Sequence, residues 1–379
     1  MTATDTDAYA SPLLGLAGAV AADPPDSGVA AHYGDPMREQ RRLAVDRMDF
    51  VDLSHRGVVR VAGPDRLSWL HALTTQDVEH LAPGESASAL LLSPHGHVEH
   101  ALAMVDDGEA VWMHVEPGTA PQVVAFLESM RFLMRVEVSD LSAEYAIRWE
   151  PTAEGVTAEG VTAEGTAEGT TDHLTRQGAD SLGGREIFVP RSKLAETARR
   201  VVEAAGDTGS AAGVREAAGA GDTAAAAGPG RPAGLWAYEA LRIAAHLPRA
   251  GFETDHRTIP NEVGWLGTAV HLHKGCYRGQ ETVARVHTLG RPPRRLVFLH
   301  LDGSVDRLPG HGAPVTHEDR AVGFVTSSAR HFEMGPVTLA LIRRNVPVDA
   351  DLLADGVAAA QEVVVPPDAG LHVRPKLRA

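Results

Sequence analysis

Apolar and polar positions alternate with a two-residue period at residues 58–61, where Val58, Val59 and Val61 surround Arg60; this predicts a strand. Gly63-Pro64-Asp65 breaks the pattern, and a proline there suits the start of a helix running to about residue 73. Three further strands are predicted at 89–92, 98–105 and 110–115, separated by glycine-containing turns. A helix follows at 121–130, strands at 135–138 and 187–189, and a helix from a Ser192 cap to about residue 203. Residues 235–245 read as a helix with Leu235, Tyr238, Leu241 and Ala245 on one face. From Arg294 onward the rhythm changes to short strands with turns, at 296–301, 322–326, 338–342 and 361–365. That is the pattern of a small β-barrel. The expected fold class is α+β over the first two-thirds, closed by an all-β C-terminal domain.

Three segments lack this periodicity. Residues 1–36 are rich in Ala, Pro, Gly and Asp and read as a mobile tail. The stretch at about 151–172 repeats Thr-Ala-Glu-Gly, and that at about 205–233 is nearly all Ala, Gly, Asp and Thr. Neither carries enough apolar surface to order itself, so both are expected as surface inserts. A chain of 379 residues exceeds what one core supports. The expected layout is a tail, a region of two α+β domains over 37–290, and a barrel over 291–379.

Composition narrows the function classes. A formal charge of −15 and a pI near 5.7 weigh against direct contact with a nucleic-acid backbone. Cys276 is the sole cysteine, which rules out an internal disulfide. No apolar run reaches the roughly eighteen residues a membrane span needs, and no basic segment opens the chain. A cytoplasmic protein is expected. Lysine is confined to Lys193, Lys274 and Lys376 against many arginines.

The densest chemistry lies in Lys274-Gly275-Cys276-Tyr277-Arg278-Gly279-Gln280-Glu281. Gly275 and Gly279 permit a tight loop. Lys274 and Arg278 flank the thiol, and neighbouring cations favour the thiolate, the nucleophilic and metal-binding form. The bland alternative is a small buried hydrophobe; the polar surroundings of Cys276 favour a functional thiol.

This octapeptide resembles the signature of the YgfZ-type folate-binding family, which includes a mitochondrial iron–sulfur assembly factor. The likeness extends to residues 60–77, to 90–96, to Leu241-Arg242-Ile243, and to Ile259-Pro260-Asn261-Glu262, covering about 45–365 apart from the inserts. It implies an aminomethyltransferase-like ring of three domains around a central channel that binds tetrahydrofolate or a one-carbon derivative. It also implies an accessory role in assembling or repairing iron–sulfur clusters, tRNA-modifying enzymes among the clients. Cys276 is then the reactive group, with Lys274, Tyr277, Gln280, Glu262, Arg285 and Trp265 as expected folate contacts. Two alternatives stand beside this: a tetrahydrofolate-dependent aminomethyltransferase or demethylase, and a non-catalytic binding module.

The chain departs from the aminomethyltransferases at two places. Their paired aspartates on a Gly-turn strand correspond to His100 and Ala101, with Glu99 one position off and expected on the opposite face. Their Arg-x-Glu corresponds to Arg242-Ile243-Ala244, which removes the carboxylate that meets the pterin's donor edge. Glu262 is the expected substitute. Arg285, Arg291, Arg294 and Arg295 form a basic run suited to the carboxylates of a folate tail. His95, His97 and His100, and likewise His271 and His273, lack the usual zinc spacing, so no metal site is expected. Trp69, Trp112 and Trp236 read as core aromatics.

Overall fold

Alternating strands bury both of their faces here, and that builds a layered frame around the centre of the molecule. The computed structural model describes residues 9–152, 173–207, 230–288 and 291–371. In chain order its first elements are β1 (Val20–Ala21), β2 (Ala30–His32), α1 (Pro36–Arg41), β3 (Phe50–Asp52), β4 (Gly57–Ala62) and α2 (Arg66–Leu73). Next come β5 (Ser86–Leu92), β6 (Val98–Asp106), β7 (Ala110–Val115), α3 (Ala120–Met130), β8 (Glu137–Asp140) and β9 (Tyr145–Pro151). Then follow β10 (Thr175–Arg176), β11 (Gly184–Pro190), α4 (Arg191–Asp207), β12 (Pro232–Ala233), α5 (Leu235–Ala244) and α6 (Gln280–Thr288). The last six strands are β13 (Arg294–Leu301), β14 (Pro314–His317), β15 (Arg320–His331), β16 (Gly335–Arg343), β17 (Leu352–Ala354) and β18 (Val357–Val363).

One sheet has the order β5-β6-β7-β4-β8 and a second β10-β11-β9-β3-β12; the last six strands close into a barrel. On β4, Val59 and Val61 pack with Leu102, Met104, Trp69 of α2 and Leu127 of α3. Val58 points the other way, joining Val105, Ile147, Trp149 and Tyr238. The period of two thus assigns alternate residues to two different cores. The barrel repeats the device. Val297, Leu299 and Ile342 fill its interior, while Leu296, Phe298 and Leu341 cover its outer side against α5 and the loop before α6. Helix α5 is a wedge: Leu235, Tyr238 and Leu241 face one core and Ala240 and Ile243 the other. Trp236, expected in the core, is instead 51% exposed, because it falls on the one stripe of α5 that neither core covers.

The expected tail at 1–36 needs correction from residue 9 onward. Ser11 caps a 3-10 helix at Pro12–Gly15, Leu13 and Val29 are fully buried, and β1 pairs with β2. Asp26 binds Arg249 at 2.6 Å and lies 3.0 Å from His55, tying the segment to the centre. Small residues bury completely against a sheet, so their low hydrophobicity hides a packed segment. The expected inserts lie outside the described residues over 153–172 and 208–229. At the edges, Pro151 closes β9 and Pro232–Ala233 pairs parallel with β3. Among the described residues no helix is long and apolar enough to cross a membrane.

Candidate functional site

The signature loop is pinned at both ends by interactions its sequence only hinted at. Lys274 is buried, and its Nζ donates to the carbonyl oxygens of His71, Thr74 (2.7 Å) and Gln76 (2.9 Å). It therefore closes the C-terminal turn of α2, where carbonyls lack intrahelical donors. Burial lowers its pKa to about 8. The Tyr277 ring lies beneath it, with Nζ 5.5 Å from the centroid, and burial pushes that phenol up to about 12. Arg278 reaches Glu99 of β6 at 3.3 Å and covers the Phe126 ring. Gly279 has φ +80, and a Cβ there would lie 2.5 Å from the Ser93 carbonyl oxygen. Gln280 opens α6 and donates to the Gly275 carbonyl at 3.3 Å.

Cys276 is exposed on this loop. The expectation that Lys274 and Arg278 serve its sulfur is corrected: both cations are committed elsewhere, one to helix carbonyls and one to Glu99. Arg285 is exposed on α6. Glu262, expected to meet a pterin, is fully buried. Its carboxylate accepts from Arg294 at 2.8 Å and 3.0 Å and from the Ile259 amide at 3.2 Å. Arg294 also binds Asp255 at 2.6 Å, and Arg295 is buried with Gln361. Those two arginines are structural, and the basic run leaves the folate tail only Arg285 and Arg291.

Two adjoining spaces lie at the centre. An inner cavity of about 90 Å³ is walled by residues including Arg56, Tyr238, Arg249 and Trp265. An outer cleft of about 560 Å³ runs along Glu99, His100, Phe252, Asp255 and His311. Ala101, Glu116 and Ala250 line both. Of the expected folate contacts, Trp265 lines the inner cavity; Lys274, Tyr277, Gln280, Glu262 and Arg285 line neither space, nor does Cys276. His100 and Ala101 do face the cleft. Glu99 joins them at its rim rather than turning away, next to a register irregularity between Leu91 and Leu92 in the β5–β6 pairing. Burial lowers the His100 pKa against the opposing pull of Glu99. Among the described residues no group of three His, Cys, Asp or Glu side chains is placed to hold a metal.

Charge around the cavity is buried and mostly paired. Arg242 binds Glu239 (2.6 Å), Glu253 (2.9 Å) and Ser327 (2.9 Å). Arg249 binds Asp26 and reaches Glu116 at 2.8 Å. Glu186 accepts from Arg176 and lies 3.1 Å from His114. Burial lowers the His114 pKa, more than Glu186 raises it. Sequence reading missed this network. Its one signal is charge set within apolar strands, as at His114 between Met113 and Val115 and at Glu186 before Ile187.

Comparison with known proteins agrees with this frame. Residues 29–149 match the family model described as the GCVT N-terminal domain. The chain is 29% identical over 313 residues to an aminomethyltransferase of Symbiobacterium thermophilum, covering 77% of each. It is 29% identical over 327 residues to one of Geobacillus kaustophilus, covering 82% of this chain and 83% of that one. The glycine cleavage system aminomethyltransferase T of Bartonella henselae superposes with a TM-score of 0.70 at 19% identity, over 97% of this chain and 100% of that one. The fold is that of the aminomethyltransferases, with a closed six-stranded C-terminal barrel.

Proposed function

We propose that this chain binds tetrahydrofolate, or a one-carbon derivative, in the central spaces and acts as an accessory protein for iron–sulfur cluster assembly or repair. Its clients would include tRNA-modifying enzymes, and Cys276 would be the reactive group. The observation that carries the thiol's role is its exposure on a loop pinned by buried contacts on either side. A thiol held rigidly in water is accessible to a second protein, which a folate-confined reaction would not require. One link joins the loop to the cleft: Arg278 binds Glu99, a cleft wall.

The residues present suit a folate. The cleft is large enough for a ligand of that size, and Phe252 and Ala250 give it apolar walls. In place of Glu262, Glu116 is the acceptor for the pterin's donor edge. Its Oε2 takes Arg249, while Oε1 has no partner among the described residues. Trp265 closes the inner end. A bound folate would supply a one-carbon carrier; the chain's own residues would bind and orient it.

The aminomethyltransferase reading is the second, favoured by the activity that the relatives are named for. Against it stands the cleft wall itself, where β6 offers His100 and Ala101. Calorimetry with tetrahydrofolate and complementation of a deletion strain separate the two. Cys276→Ala should bind tetrahydrofolate within about twofold of wild type and fail to restore iron–sulfur enzyme activity. Full rescue removes the thiol from the function, and turnover of a methylated amine with folate promotes the second reading.

A further inference from the structure

Arg56 stands apart from every other arginine around the central cavity. Its side chain is 9% exposed, yet its guanidinium makes no hydrogen bond among the described residues, and its Nε is buried without a partner. Glu186 is the nearest carboxylate, at 3.9 Å, beyond hydrogen-bonding reach. Arg176, His114 and Ser181 all meet Oε2 of that carboxylate, and its Oε1 faces Arg56 as a long ion pair without a hydrogen bond. Asp180 is taken as well, by Arg176 at 2.6 Å. The Tyr238 ring, with its centroid 5.9 Å from the Arg56 guanidinium carbon, fixes the side chain as one wall of the inner cavity.

Buried charged donors without hydrogen-bond acceptors are costly. Such a group persists where something outside the chain completes it. His114 does not compete for that role, because burial disfavours its charged form.

We propose that Arg56 is a ligand-recognising cation whose free N–H groups receive an oxygen acceptor from the molecule bound in the central cavity. Resting on the folate reading above, that acceptor is the ring carbonyl oxygen of the pterin, with Glu116 meeting its donor edge. The same chemistry fits a free small oxyanion such as formate.

The test is calorimetry on the full chain with tetrahydrofolate, with p-aminobenzoylglutamate (which lacks the pterin), and with sodium formate. Wild type is compared with Arg56→Met and Arg56→Lys. Arg56→Met should weaken tetrahydrofolate about 10–100-fold and leave p-aminobenzoylglutamate within twofold; Arg56→Lys should recover part of the loss. The melting temperature without ligand should fall by less than about 5 °C in Arg56→Met, since the guanidinium makes no hydrogen bond and only a long ion pair with Glu186 is lost. A fall of more than about 5 °C would mark Arg56 as structural and overturn the proposal. So would tetrahydrofolate binding unchanged in Arg56→Met. If wild type binds no tetrahydrofolate, the folate reading fails by itself. Arg56 then stands if wild type binds formate and Arg56→Met does not, and falls if neither binds.

Discussion

Gly279 of the signature loop lies backbone against backbone on Gly96 of the β5–β6 turn: a Cβ on Gly279 would come within 2.8 Å of the Gly96 Cα. Both residues have positive φ, +80 and +78, a region that L side chains rarely adopt. The contact fixes the thiol-bearing loop to the hairpin whose strand β6 walls the cleft. Gly279→Ala should destabilise the protein by about 2–4 kcal/mol in urea unfolding, from backbone strain and overlap together. Gly275→Ala has open space around its Cβ and should stay within about 0.5 kcal/mol. Equal effects at the two positions would contradict this.

Lys274 holds the other end of the loop by three carbonyl oxygens, so its replacement should cost stability rather than reactivity. Lys274→Met leaves those carbonyls, two of them at the end of α2, without their donor. A loss of about 2–4 kcal/mol is expected. The rate at which a disulfide reagent labels native Cys276 should stay within threefold of wild type. A tenfold slower rate would return Lys274 to the sulfur, as the sequence first suggested.

Glu262 separates structural from ligand roles on the other side of the cleft. Its carboxylate is buried beneath Arg294, so Glu262→Gln should lower stability by about 2–4 kcal/mol by weakening a buried ion pair. Tetrahydrofolate affinity of the folded protein should remain within twofold, measured by calorimetry well below the melting temperature. A tenfold loss would place Glu262 back among the folate contacts.

Legibility followed the range of the interaction. Strands β4, β6 and β7 and the barrel strands β13 and β16 show in the sequence because alternate residues enter different cores. Strands β10 and β12, two residues each, and β3, three, are too short to carry a period. The loop containing Cys276 was visible as a motif, yet its lysine's partners lie about 200 positions away. Asp26 and Arg249 are 223 apart. No local pattern marks such pairs, so composition described the N-terminal segment as a tail and the family resemblance put Glu262 in the site. Arg56 was passed over for the same reason: its significance is the hydrogen bond it lacks.

Acid should undo the central network in two stages. Burial works against the Asp26 charge, but hydrogen bonds from His55 and Arg249 hold its carboxyl far below the usual range. At Glu186, burial is likewise outweighed by Arg176 and His114. In an unfolded chain such groups bind protons near pH 4. As pH falls below that, the unfolded state takes up protons that the folded state refuses, and stability present above about pH 4 is lost. Burial depresses His114 and His100 too, so the unfolded chain outbinds the folded one for protons from about pH 6.5 downward. Calorimetric melting temperatures should therefore be level near pH 7, decline gently through pH 6, and drop steeply below pH 4. Asp26→Asn should lower the melting temperature at pH 7, because Arg249 loses its carboxylate partner, and should flatten the slope below pH 4. An unchanged slope in that variant would mean that the N-terminal segment is not tied to the centre through Asp26.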